Sequence, residues 1–305
     1  MATLLKLFPT CTWTGRLAHL SRKGWAQSRS GRLLPCFPAS QRCASTTSYL
    51  TVEMDDNTGV AVVTMKSPPV NSLSLDFLTE FSISIEKLEM DRKCRGVILT
   101  SGLPKVFSAG LDIMEMYGKG PEHCAEFWRA VQEMWLKLYG SNMITIAAVN
   151  GSSPAGGCLM AMACDYRIMA DNPKYSIGLN ETLLGIVAPF WFKDTMMNTI
   201  GFRATELALQ LGLLHNAPNA LRVGLVDELV PEKEVLSAAS TAISKWLAIP
   251  DHARQITKSM MRKPTIDRLL SHRDQDINNF VSFITKDSIQ KSLQVYMERL
   301  KQRKT

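Results

Sequence analysis

Three short stretches hold the residues whose types and spacing could do chemistry. The first, NGSSPAGGCLMAMACDYRIMAD at 150–171, runs a small-residue loop into an apolar segment. No Gly-Lys-Ser or Gly-Lys-Thr follows, so it is not a P-loop, and its glycines lack the spacing and position of a dinucleotide fingerprint. Its GSSPA segment differs by one residue from a G-x-S-x-G nucleophile elbow. Pro154, directly after Ser153, has no N–H to offer an oxyanion, which argues against a serine hydrolase. What remains is geometric. Ala155-Gly156-Gly157 opens a helix whose first N–H groups lack intrahelical partners and carry partial positive charge. Such groups can receive an oxygen that becomes an anion. The glycines equally allow tight helix–strand packing, and from this loop alone both readings stand.

The second stretch, KVFSAGLDI at 105–113, also follows an apolar strand and also opens a helical turn with small residues. Two such loops could aim two backbone N–H groups at one oxygen, an oxyanion hole made without side chains. The third, GLNETLLG at 178–185, sets Glu181 among Leu179, Leu183 and Leu184. A carboxyl in apolar surroundings has a raised pKa and suits general-base work. The plainer alternative is a glutamate capping a helix N-terminus.

The elements that must position these loops alternate strand and helix. YLTVEMD and GVAVVTMK read as strands joined by the turn DNTG, and SLDFLTEFSISIEKLEMD as a helix starting near Ser74 or Asp76. RGVILTS, MITIAAVN and YRIMA are buried strands, and KYSIGLNE is a short extended segment. A long amphipathic helix covers 121–139, two more lie in PFWFKDTMMNTIG and RATELALQLG, and GLVDELVP ends in a strand. Beyond about Trp246, DHARQITKSMM, TIDRLLSHRDQDINNFVSFI and KDSIQKSLQVYMERLKQ are helical. The pattern predicts an α/β layered core with mainly parallel strands. Three terminal amphipathic helices must cover their apolar faces against the core or another subunit. Trp128, Trp135, Trp191, Met160 and Met162 read as packing residues, with Phe190 and Trp191 close enough to the Glu181 loop to touch a ligand. Phe280 and Phe283 read as helix-face residues able to cap a neighbouring subunit's pocket.

Charge and cysteines exclude other classes. The 305 residues carry a net charge of +7, and residues 1–52 hold seven Lys and Arg with no Asp or Glu. Subtracting those seven leaves the rest formally neutral, without the basic stripe that nucleic acid requires. The acid-free leader reads as a mitochondrial transit peptide over 1–44, cleaved shortly after Arg42. No apolar run approaches 18 residues, so no membrane insertion is expected. Cys11, Cys36 and Cys43 fall in the leader. Cys94, Cys124, Cys158 and Cys164 form no C-x-x-C pair and no zinc-ligand spacing, so they read as plain thiols with no metal.

PPVNSLS at 68–74, FSAGLD at 107–112, the 150–171 stretch, GLNETLLG and the helical tail together resemble the crotonase (enoyl-CoA hydratase/isomerase) superfamily over essentially everything after the leader. The resemblance implies a spiral of strand–strand–helix turns over 45–245 that holds the active site. It also implies a helical region over 246–305 that joins subunits, usually into trimers. It places the backbone N–H groups of Ala109 and Gly156 on a thioester oxygen. Ser108, Ala109, Gly110, Leu111 and Asp112 would line the acyl and pantetheine path, and Asn180 the acyl pocket. Glu181 matches the family's isomerase glutamate, whereas the second glutamate of the hydratases is replaced by Leu159. The implied reaction moves the double bond of a cis- or trans-3-enoyl-CoA to trans-2-enoyl-CoA through a dienolate, in mitochondrial matrix β-oxidation. Coenzyme A enters as part of the substrate, with no separate cofactor. Lys66, Lys286 and Lys291 are candidates for its phosphates. Hydration, thioester hydrolysis and a non-catalytic RNA-binding or scaffold role are the alternatives.

Overall fold

Strand β1 (Leu50–Asp55) pairs antiparallel with β2 (Val60–Met65), joined through Gly59 at φ +71. After this hairpin one unit recurs: a long strand, a short strand, then a helix. The computed structural model describes residues 48–302, so the leader assigned to 1–44 lies outside the described residues. The first unit runs β2, β3 (Ser72–Leu73) and α1 (Leu75–Met90), whose N-cap Ser74 accepts the Phe77 N–H. The second runs β4 (Gly96–Ser101), β5 (Gly110–Leu111), a 3-10 turn (Ile113–Glu115) and α2 (Pro121–Tyr139). The third runs β6 (Ile144–Val149), β7 (Ser153–Pro154) and α3 (Gly156–Ala163). The fourth runs β8 (Tyr166–Ala170), β9 (Ser176–Gly178), a 3-10 turn (Glu181–Leu184) and α4 (Phe190–Ile200).

The long strands lie side by side in a sheet ordered β1-β2-β4-β6-β8-β11, where β11 is Glu228–Val230, all parallel after the first pair. Every residue of β4 and β6 is buried, as parallel strands covered on both faces require. The short strands pair separately, β3 with β5 and β7 with β9, and Val106 bridges to Ser152. Both candidate loops therefore leave the carboxyl ends of neighbouring strands, β4 and β6, where ligands bind in parallel α/β sheets. The unit repeats in space although no repeat is legible in the sequence.

The rest of the described residues are mainly helical, with two short strands among them. They comprise α5 (Phe202–Leu211), β10 (His215–Asn216), α6 (Ala217–Val223), β11 (Glu228–Val230), α7 (Val235–Leu247), α8 (Asp251–Ser271), α9 (Arg273–Ile284) and α10 (Asp287–Gln302). Neither α6 nor α7 was foreseen. The break expected between DHARQITKSMM and TIDRLLS is also displaced. Helix α8 runs through Pro264, and the chain turns instead at His272. A proline inside a helix removes one hydrogen bond and crowds the preceding turn. Here α8 is anchored before it by Lys258 and Arg262, which both pair with Asp165 (2.8 and 2.9 Å), and after it by fully buried Leu269.

Two glycines decide how closely the site loops approach. A Cβ on Gly157 would stand 2.5 Å from the Ser108 carbonyl oxygen, and one on Gly110 (φ +89) 2.9 Å from the Gly156 nitrogen. Gly157→Ala should therefore push the loop after β4 away from α3 and cost about 1–3 kcal/mol in urea unfolding. Wild-type stability in this variant would mean that the loops are not held at contact.

Candidate active site

The loop after β4 is fixed by buried hydrogen bonds. The Asn71 side-chain amide donates to Phe107 O (2.9 Å) and Ser101 Oγ (2.8 Å), and its oxygen accepts the Ser67 N–H (2.7 Å). Ser108 is wholly buried; its hydroxyl donates to Asn71 O (2.8 Å) and accepts the Gly110 N–H (3.1 Å). Asp112 accepts the Met114 N–H and starts the 3-10 turn. Ser108 and Asp112 thus shape the loop, and neither they nor Gly110 lines the cavity described below, whereas Ala109 and Leu111 do.

The expected donor Ala109 is already engaged, because its N–H donates to Val70 O at 2.9 Å. Leu111 is the residue whose N–H is left. In the parallel β3–β5 pair the next N–H, of Asp112, donates to Leu73 O (3.2 Å), and successive N–H groups of an extended strand face opposite sides. The Leu111 N–H therefore turns away from β3, toward α3. A Cβ built on Gly156 would lie 3.1 Å from the Leu111 nitrogen, so these two backbones are in contact. Ser-Ala-Gly spacing alone cannot show which of three consecutive N–H groups is free.

Gly156 is the first residue of α3, where no intrahelical acceptor exists for its N–H. Ahead of it Ala155 adopts φ +50, ψ −123, a conformation that costs a non-glycine residue on the order of 1–3 kcal/mol. It is held there by its N–H to Gly178 O (2.8 Å) and by the β7–β9 pairing. The loop thus satisfies both readings left open by its sequence. Its glycines permit the packing, and the packing aims the N–H.

Glu181 begins the 3-10 turn after β9, with Asn180 in the capping position. The residue as a whole is partly accessible, yet both carboxyl oxygens are shut off from solvent and have no hydrogen-bond partner. Burial accordingly raises its pKa from 4.5 to about 7. A capping glutamate would have its oxygens on backbone N–H groups, so the plainer reading of this residue fails.

Glu181, Asn180, Leu111, Ala109 and Ala155 line one cavity of about 370 Å³. Its remaining wall is mainly apolar and includes Ile113, Met116, Leu184, Phe190 and Phe192. The volume and polarity suit a small, largely apolar ligand portion. Phe280 and Phe283 of α9 line this chain's own cavity. Trp128, read from sequence as packing, lines the cavity as well and stacks on Phe280 at 3.9 Å, while Trp135 and Trp191 are fully buried. Leu159 is fully buried and apolar, and does not line the cavity. Among the lining residues that the sequence reading passed over is a carboxylic acid, Asp276 of α9. The signal was present, since Asp276, Asn279, Phe280 and Phe283 follow the i, i+3, i+4, i+7 spacing of one helical face.

Lys66, Lys286 and Lys291 are exposed and none lines the cavity, although Lys286 stands 5.5 Å over the ring of Phe283. Among the described residues no cluster of three or more His, Cys, Asp or Glu is placed to hold a metal. Cys94, Cys124, Cys158 and Cys164 are all buried, and desolvation holds the Cys164 thiol up at about 12.

Residues 55–304 match the enoyl-CoA hydratase/isomerase family. The chain is 65% identical over 253 residues to mitochondrial enoyl-CoA delta isomerase 1 of Mus musculus, covering 83% of this chain and 88% of that protein. The Homo sapiens protein of the same name is 65% identical, with 83% and 84% covered. A crystal structure of human mitochondrial delta3-delta2-enoyl-CoA isomerase superposes with a TM-score of 0.84 at 64% identity, covering 85% of this chain and all of that one.

The buried carboxyl predicts a signature in stability. The unfolded chain ionises Glu181 near 4.5 and the folded chain only near 7, so folding loses stability as pH climbs between those values. Glu181→Gln should match the native protein most closely at pH 4 and be the more stable of the two by about 3 kcal/mol at pH 8. A gap that does not change with pH in urea titrations would mean that Glu181 titrates normally.

Proposed function

The chain belongs to the enoyl-CoA hydratase/isomerase family, and from that premise we propose how its cavity works. The protein is a mitochondrial enzyme of fatty acid oxidation that shifts the double bond of a 3-enoyl-CoA thioester to the 2 position. One observation carries the assignment of its site: an unpartnered, desolvated carboxylate shares an apolar cavity with the backbone of Leu111 and the start of α3.

In this reading the acyl chain lies along the apolar wall, with its thioester oxygen between the N–H groups of Leu111 and Gly156. The proton on carbon 2 is acidic because it stands between a carbonyl and a double bond. Glu181 removes it, and the charge of the resulting dienolate collects on the thioester oxygen. The two N–H groups are already fixed by the fold and need no reorganisation; one such donor contributes roughly 100- to 1,000-fold in rate. Glu181, now a neutral acid, returns the proton to carbon 4, which leaves the double bond at carbons 2 and 3. One carboxyl group does both transfers. Hydration needs a second carboxylate to position water, and Leu159 supplies none at the place where the hydratase pattern requires it. Both cis and trans 3-enoyl chains fit this scheme, since protonation at carbon 4 turns the original double bond into a single bond, and trans-2-enoyl-CoA is the product.

The substrate brings its own coenzyme A, and the scheme calls for no other cofactor. Lys286, beside Phe283, is the first candidate for its phosphates, with Lys66 and Lys291 as further ones. The matrix is the compartment to which the leader at 1–44 would deliver the chain. Ile256, Met260 and Met261 of α8 are 59–74% exposed, an apolar face that suits burial between copies in a homotrimer.

Conversion of 3-hexenoyl-CoA to the conjugated ester, followed by absorbance, tests the reaction. Glu181→Gln should lower kcat/KM by about 100- to 10,000-fold; turnover that survives would assign the base elsewhere. For the native enzyme kcat/KM should rise with pH and level off above about 7, because only the ionised carboxylate accepts the proton. Sedimentation should give about three times the 34.0 kDa of one full chain, less the three leaders in the processed protein; a monomer at micromolar concentration would remove the trimer.

A further inference from the structure

Isomerisation has no task for Asp276, yet this carboxyl lines the same cavity as Glu181. The residue is only 8% exposed. Its Oδ2 accepts three hydrogen bonds, from the Trp128 indole N–H (2.8 Å), the Trp191 indole N–H (3.2 Å) and the Gln132 amide (2.8 Å). Three donors converging on one oxygen fix the orientation of the whole carboxyl group, and Trp128 is itself held by its stacking on Phe280. The other oxygen, Oδ1, takes no hydrogen bond from the described residues. Asp276 therefore gives a mainly apolar chamber one acceptor that the fold leaves unused.

Such an oxygen discriminates between ligands. A methylene placed against it strips away water and returns no hydrogen bond, so burial there is penalised. A hydroxyl in the same place donates the missing bond. We propose that Asp276 is a specificity-determining residue that gives the acyl cavity a hydrogen-bond-accepting end. Hydrocarbon tails long enough to reach it are disfavoured, and tails carrying a hydroxyl at that depth are accepted. The substrate class so defined is the hydroxylated 3-enoyl-CoA ester. Proton transfer stays with Glu181, and Asp276 acts on the remote end of the chain. Asn279, one turn along the same face of α9, and Tyr296 of α10 add two further polar residues to the lining. This inference rests on the cavity being the acyl site of the isomerase.

The test is a series of 3-enoyl-CoA esters lengthened two carbons at a time, each paired with a counterpart bearing a hydroxyl on its terminal carbon. For the native enzyme, kcat/KM of the hydrocarbon esters should fall on the order of tenfold once the tail reaches Asp276, and at that length the hydroxylated ester should be preferred by a similar factor. Asp276→Asn supplies a decisive second comparison. Its amide can keep an oxygen on the two indoles and Gln132 while turning N–H toward the cavity, an acceptor exchanged for a donor. Relative to the hydroxylated ester, the corresponding methyl ether, which can only accept, should gain about tenfold in this variant. The readout is a ratio between substrates, so a general loss of activity in the variant does not obscure it. Equal treatment of hydrocarbon and hydroxylated tails at every length by the native enzyme overturns the proposal, even if the variant fails to fold. Turnover of the six-carbon ester with no preference among longer tails sinks this inference alone. An inert six-carbon ester sinks the isomerase reading and this one with it.

Discussion

The contact on which the site depends is the approach of the loop after β4 to the first turn of α3. Ser108, Gly110 and Leu111 meet Gly156 and Gly157 at distances that leave no room for a Cβ on Gly110 or Gly157 and little for one on Gly156. Backbone against backbone is the only way to place two main-chain N–H groups on one small volume. Each partner is secured from behind, the loop by Asn71 and Ser108, and α3 by Ala155 clamped to Gly178. The strained φ of Ala155 belongs to this arrangement, since it turns the chain from β7 into α3 with the Gly156 N–H leading.

Against that fixed dipolar pair stands a carboxyl group with the opposite treatment. The fold surrounds the N–H groups with order and gives the Glu181 oxygens nothing. Burial is the main cause that brings its pKa to about 7, where a carboxyl can accept a proton and return it with little bias either way. Keeping an ionised carboxyl dry opposes folding, and the cost falls on a large core in which strands β4 and β6 are buried along their whole length.

Asp276 shows the other possible treatment of a carboxyl at the same cavity. It receives three N–H donors on one oxygen, while Glu181 receives none on either. The first arrangement fixes a group in place as an acceptor; the second leaves a group free to exchange protons. Two acids of similar intrinsic chemistry thereby stand in opposite environments at one cavity.

Much of this was legible in the residues. The alternation of strand and helix, the all-buried runs GVILTS and ITIAAV, the helix over 121–139 and the apolar setting of Glu181 follow from local pattern, because periodicity and side-chain polarity act over a few residues. The small-residue loops marked where the backbone must come close. What local pattern could not supply was direction and distance. Which N–H of Ser-Ala-Gly-Leu is free depends on the hydrogen bonds of Ala109 to Val70 and Asp112 to Leu73, partners about 40 residues away in sequence. The course of α8 through Pro264 depends on ion pairs to Asp165 that no propensity contains. Asp276 looked like one more charge on a helix until α2 and α4 brought Trp128, Gln132 and Trp191 to it. The sequence by itself determined most of the strands and helices, the small-residue loops and the apolar setting of Glu181. Only the tertiary structure decided which donors are spent and which remain, since a hydrogen bond is consumed by whichever partner the fold brings within reach.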